Sequence, residues 1–115
     1  MHKLIFHCGA YKYAPKKAEI LGSLTLTAAE MSDIGKSLTP GDGPEDRHVF
    51  SNSSDLCNGV RIAIRNGNLD SQRFAFAFHD PCGNEHTISV GDLGDLCDMV
   101  PGFFDQAEKD LIQLF

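Results

Sequence analysis

Cysteine is scarce in this 115-residue chain, and the four thiols, at positions 8, 57, 82 and 97, include no Cys-x-x-Cys pair. That sparseness excludes a disulfide scaffold and points to a reducing, cytoplasmic setting. Long apolar runs are also missing. Nothing approaches the ~18 consecutive apolar residues of a membrane span. The short run Leu4-Ile5-Phe6 behind Met1-His2-Lys3 does not have the form of a signal peptide. In a cytoplasmic protein the Asn52-Ser53-Ser54 glycosylation match is without meaning.

Catalytic signatures are absent too. There is no G-x-S-x-G elbow, and Gly41-Asp42-Gly43-Pro44 lacks the third glycine and the Lys-Ser/Thr of phosphate loops. Asn66-Gly67-Asn68-Leu69-Asp70 starts like a calcium loop. Ser71 then replaces the turn glycine, and Ala77 stands where the bidentate Glu belongs. No motif specifies a reaction.

Positive charge is in deficit, with a net charge of −6. Residues 1 to 91 hold ten acids against nine bases, whereas residues 92 to 115 hold six acids against Lys109 alone. The imbalance therefore sits at one end. A direct nucleic-acid binder would carry the opposite sign on a face, so that class is disfavoured.

What the chain does carry is a hairpin. In the segment from Arg73 to Val90, two alternating runs flank Asp80-Pro81-Cys82-Gly83. This sequence suits a type I turn with Pro at its second position and Gly83 in the left-handed conformation that closes a three-residue loop. Asp80 then pairs with Asn84. Counting outward sets Phe78 opposite His86, Phe76 opposite Ile88 and Phe74 opposite Val90 on one apolar face. The other face carries Ala75, Ala77, Thr87, Ser89 and Gly91, with His79 opposite Glu85.

Elsewhere, Lys3 to Cys8 reads as a strand with Leu4, Phe6 and Cys8 on one face. Ala18 to Thr27 reads as a second, with Ile20, Gly22, Leu24 and Leu26 together. Thr27-Ala28-Ala29-Glu30 is a capping box that starts a helix carrying Met31, Ile34 and Leu38 to Pro40. Residues 39 to 46 form a loop by composition. Residues 54 to 66 fit two patterns: Leu56, Val60 and Ile64 recur as in a helix, while Val60, Ile62 and Ile64 alternate as in a strand. β-Branching and Asn66-Gly67 favour a strand over 60 to 65. After the hairpin, Leu93, Leu96, Cys97 and Val100 predict a helix ending at Pro101. A last helix from Asp105 places Ala107, Leu111, Leu114 and Phe115 inward.

The resulting order, ββαβββαα, predicts one domain over residues 1 to 115. Its class is α+β, an antiparallel sheet of four to five strands with helices packed on one face, the aromatic one.

Two clusters invite chemistry. His79, Cys82 and His86 are close in sequence, as zinc ligands would be, but the register sends the two imidazoles to opposite faces, so no metal and no cofactor are expected. Cys82 as a nucleophile with His79 as base lacks an oxyanion site. If 60 to 65 pairs with 73 to 79, Arg61, Arg65 and Arg73 rim the small face beside Thr87 and Ser89. That arrangement suits an anion or small molecule, with His79 and Glu85 as a proton-transfer pair. The plainer reading is one ordinary solvated sheet face.

The acids Asp92, Asp95 and Asp98, with Asp105, Glu108 and Asp110, can serve as solvated helix edges or as a surface steering toward a basic partner. On this reading the chain is a non-catalytic, small acidic binding protein of inhibitor or adaptor type, whose partner is a protein with a basic surface. The small-molecule site on the arginine-rimmed face is the alternative, and a homo-oligomer formed through an exposed sheet face or edge is the third.

Overall fold

The computed structural model describes residues 2–22, 25–41 and 43–96. Its elements are β1 (Leu4–Gly9), β2 (Glu19–Ile20), α1 (Ala28–Ser37), β3 (Arg47–Phe50), α2 (Ser54–Arg65), β4 (Phe74–His79) and β5 (Glu85–Ile88), with 3-10 turns at Tyr11–Tyr13 and Ser71–Arg73. The strands form one sheet in the order β2-β3-β1-β4-β5. β1 runs parallel to both β3 and β4, β2 runs parallel to β3, and only β5 is antiparallel.

The architecture is therefore a mixed α/β sheet that is mostly parallel, which corrects the expected antiparallel sheet and the order ββαβββαα. Two local exchanges cause the change. Residues 60 to 65 lie in α2 rather than in a strand, and Arg47–Phe50 supplies a strand the composition did not announce. Parallel neighbours need a crossover connection, and a helix between two strands supplies one. The α2 crossover carries the chain past β1, so β3 and β4 settle on either side of it.

α2 forms because its ends and its buried stripe agree. The Ser53 hydroxyl accepts a hydrogen bond from the Leu56 N–H at 3.1 Å, Asp55 lies in the first turn and Arg65 in the last, each favourable to the helix dipole. Leu56, Cys57, Val60, Ala63 and Ile64 are buried at helical spacing, while Ile62 is 39% exposed. A strand would have needed Ile62 inside with Val60 and Ile64.

α1 begins at its capping box as anticipated: Glu30 N–H donates to Thr27 Oγ1 at 3.1 Å, and Thr27 N–H donates to Glu30 Oε1 at 3.2 Å. The two helices touch through glycine. A Cβ on Gly35 would lie 2.1 Å from Leu56 O, and one on Gly59 would lie 2.2 Å from Ser32 O.

Both helices contribute to the core on the aromatic face, where Leu4, Phe6, Cys8, Val49, Phe74, Phe76, Phe78 and Ile88 meet Leu56, Val60, Ala63 and Ile64. Each such large side chain contributes roughly 1.5–3 kcal/mol on burial. The hairpin register is as counted, with Phe76 opposite Ile88, Phe78 opposite His86 and His79 opposite Glu85. Gly83 sits at φ +94°, and Asp80 N–H donates to Asn84 O at 3.0 Å.

Two other expectations are shortened. The strand expected over 18 to 27 is only Glu19–Ile20, because Gly22 takes φ +90° and turns the chain out of the extended region; Leu24 lies outside the described residues. The helix expected from Leu93 is, as far as Leu96, a turn: Gly94 N–H donates to Gly91 O, Gly91 N–H donates to Asp95 O, and Leu96 bridges back to Val90. Leu93 is 70% exposed instead of facing inward. Residues 97 to 115, with the last expected helix, lie outside the described residues. Among the described residues no helix is long and apolar enough to cross a membrane.

Candidate functional site: the imidazole face

Strand alternation decides which groups leave the core. With Leu4, Phe6 and Cys8 inward on β1, His7 projects to the opposite face; with Phe74, Phe76 and Phe78 inward on β4, His79 does the same. The parallel registers set Gly9 beside His79 and Ile5 beside His48. His7 is thus diagonal to an imidazole on each neighbouring strand.

The three rings form a row. His7 Nδ1 lies 2.9 Å from His79 Nε2, and His7 Nε2 lies 2.8 Å from His48 Nδ1. The His7 ring plane is within 22° of His79 and 26° of His48. Glu85, opposite His79 on β5, brings Oε1 to 3.9 Å from both His7 Nδ1 and His79 Nε2. The side chains of His7 and His79 are 3% and 8% exposed, and that of Glu85 is 52% exposed. Two buried imidazoles therefore meet one carboxylate at the solvent edge.

The backbone around the row is braced. Asn52, just after β3, accepts from Gly9 N–H at 2.7 Å and donates from Nδ2 to Gly9 O at 2.9 Å. Ser51 N–H donates to His7 O at 3.0 Å, and Ala10 N–H donates to His79 O at 2.8 Å. His79 closes β4, and His7 lies two residues from the end of β1, so the His7–His79 end of the row lies toward the carboxyl ends of parallel strands, where α/β sheets hold ligands, while His48 is the second residue of β3.

Electrostatics keep the centre of the row neutral. Burial first, then the neighbouring His48, His79 and Lys17, pull the His7 imidazolium down from 6.5 to about 4. His48 is also lowered, by burial and Lys17, against the opposing pull of Asp46, Glu85 and Glu45. A neutral imidazole has one N–H and one lone pair, so His7 donates to one neighbour and accepts from the other.

Of the residues expected to carry a site, His79 and Glu85 are brought together as the hairpin register required. Thr87 and Ser89 are exposed beyond them, and Ala75 and Ala77 lie buried between. The arginines do not join them. Arg61 and Arg65 ride on α2; Arg61 Nε donates to Gly94 O at 2.7 Å, and Arg65 lines a cleft of about 340 Å³ with Asp70, Ser71 and Asp92. Arg73 Nε donates to His2 O at 3.2 Å. The arginine-rimmed face is accordingly corrected: it required a strand where the chain forms a helix.

His79 and His86 diverge as expected. His86 Nε2 donates to Asp80 Oδ2 at 2.9 Å and stacks on Phe78 with centroids 6.1 Å apart. This bond, ahead of the Asn84 N–H, holds the Asp80 carboxyl down at about 2. Cys82 is exposed on the turn, while burial pushes the Cys8 thiol up and takes Cys57 to about 12. Asp92 and Asp95 are exposed; Asp98, Asp105, Glu108 and Asp110 lie outside the described residues.

Sequence reasoning missed His7 and His48. The inward trio Leu4, Phe6 and Cys8 does place His7 on the polar face. Nothing local to residues 3 to 8 says that two other histidines flank it.

No protein-family model matches the chain, and neither a curated protein nor a solved structure is significantly similar to it.

Proposed function

We propose that this chain is a small-ligand-binding domain without catalytic machinery of its own, whose site is the row His48–His7–His79 with Glu85 at its mouth. The observation that carries the reading is the convergence of two buried imidazoles, 2.9 Å apart, on one half-exposed carboxylate. Burying polar groups costs free energy, and aliphatic side chains at positions 7 and 79 would fill a sheet face at lower cost. The carboxylate also sets the sign of the ligand. A His7 imidazole held neutral by burial, beside the Glu85 side chain, favours a cation or a donor-bearing group over an anion.

The test is a titration of the full chain with zinc chloride and, separately, with putrescine, following the histidine ring signals by NMR. Saturable shifts at His7 and His79, weakened at least about tenfold in Glu85→Gln, support the reading. Titrations in which neither probe moves those rings would remove it.

A second reading, a protein partner with a basic surface, draws on the exposure of Asp92 and Asp95 in one turn. It predicts a salt-sensitive association lost when both become Asn, and salt-independent behaviour counts against it.

A further inference from the structure

We infer that His7, His79 and Glu85 bind a divalent first-row transition-metal ion of the zinc class, with His48 as the positioning residue that aims His7. The inference rests on the ligand-binding reading above and names its ligand.

The three donor atoms, His7 Nδ1, His79 Nε2 and Glu85 Oε1, all lie within 4.8 Å of one another. An ion at the usual ~2.0–2.1 Å from imidazole nitrogens that are 2.9 Å apart sees them at an angle of about 90°. That is a cis angle of octahedral coordination, and opening it to the tetrahedral value moves the nitrogens apart by only a few tenths of an ångström. Glu85 stands 3.9 Å from each nitrogen with its side chain half-exposed, so a change of rotamer toward them meets solvent rather than core. The buried pair is held by its strands, and the third donor is the one at the surface.

Donor chemistry narrows the ion. Two imidazoles and one carboxylate suit zinc, cobalt, nickel or ferrous ions, whereas magnesium and calcium require shells of oxygen. Both nitrogens must present lone pairs to the metal. His7 achieves this by donating Nε2–H to His48 Nδ1 at 2.8 Å, which leaves Nδ1 free, and His79 by carrying its proton on Nδ1. Metal then takes the place of the single proton that the two nitrogens otherwise share. Three protein donors leave at least one coordination position for water or a further ligand.

His86 and Cys82, the donors that the sequence grouped with His79, belong elsewhere. His86 faces Asp80 on the other side of the sheet, and Cys82 is out on the turn. The hairpin thus contributes two ligands, but β1 contributes the third.

The experiment uses the full chain, stripped with a chelator and titrated with cobalt and zinc. Optical absorption of the cobalt form and calorimetry with zinc should give one ion per chain, and magnesium should compete for neither. Glu85→Gln, which alters an exposed group and should leave the circular dichroism spectrum unchanged, should weaken zinc binding by at least about tenfold, and His48→Gln by roughly 10–100-fold. In wild type the ring nitrogen shifts should mark Nδ1 as the coordinating atom of His7; in His48→Gln that signature should be lost or mixed, which a purely structural role would not produce. His86→Gln should bind as wild type does. Zinc binding that survives both Glu85→Gln and His79→Gln, or that disappears in His86→Gln, overturns the inference. So does the absence of binding at millimolar zinc; putrescine still shifting the imidazoles would then leave the broader reading standing, whereas silence with both probes ends both.

Discussion

His7 Nδ1 and His79 Nε2 lie 2.9 Å apart across two parallel strands, although 72 residues separate them along the chain. Their contact depends on β1 lying beside β4 in parallel register, and on both rings pointing away from the aromatic core. It is the point at which the site and the fold are the same fact.

Acid should destabilise the metal-free protein in two separate windows. The His7 imidazole is lowered from 6.5 to about 4 by burial and by His48, His79 and Lys17, with Glu85 the opposing charge nearest to it. Between those values the unfolded chain holds a proton that the folded chain does not. Stability is therefore full above 6.5, falls as pH drops to about 4, and changes no further from this group below that. The loss is on the order of 3 kcal/mol at most. Asp80, lowered from 3.8 to about 2 by its bond to His86, contributes stability that is lost only below 3.8. Urea midpoints measured with chelator present should fall through the first window, and a midpoint independent of pH there would contradict the burial of His7.

Gly35→Ala and Gly59→Ala should both destabilise, against the general preference of helices for alanine. Propensity favours the change by about 1 kcal/mol. The new methyl group, however, meets backbone oxygen at 2.1 Å in one case and 2.2 Å in the other. Backbone cannot rotate aside as a side chain can, so the helices must separate, at a net cost of roughly 1–3 kcal/mol. Thermal melting checks the sign; an unchanged or raised midpoint would mean the helices do not approach there.

Ile62→Lys and Leu56→Ala separate the helix from the strand it replaced. Ile62 is 39% exposed and should tolerate lysine within about 0.5 kcal/mol. Leu56 is fully buried, and its truncation should cost about 2–5 kcal/mol. Denaturant unfolding of the two variants gives the answer, and a large loss for Ile62→Lys would reinstate an inward Ile62.

Much of the local structure could be read from the residues. The capping box at Thr27 and Glu30, the inward faces of β1 and β4, and the hairpin pairing of His79 with Glu85 each follow from contacts a few residues apart. The ambiguous stretch was 54 to 66, because Val60, Ile62 and Ile64 satisfy a strand as well as a helix. Only packing against α1 and the sheet shows Ile62 to be the residue left out. That exchange, together with the strand at Arg47–Phe50, changed the direction of the sheet, and it moved Arg61 and Arg65 away from the face they were expected to rim.

The amino-acid order alone determined which side chains leave each strand on which side, because alternation and a tight turn act over a few residues. Tertiary structure decided which strands became neighbours, because crossovers through α1 and α2 bring together segments that share no local signal. Glu85 was therefore paired with His79 from the outset, while the partnership of His7, His48 and His79 came into being only when the sheet assembled.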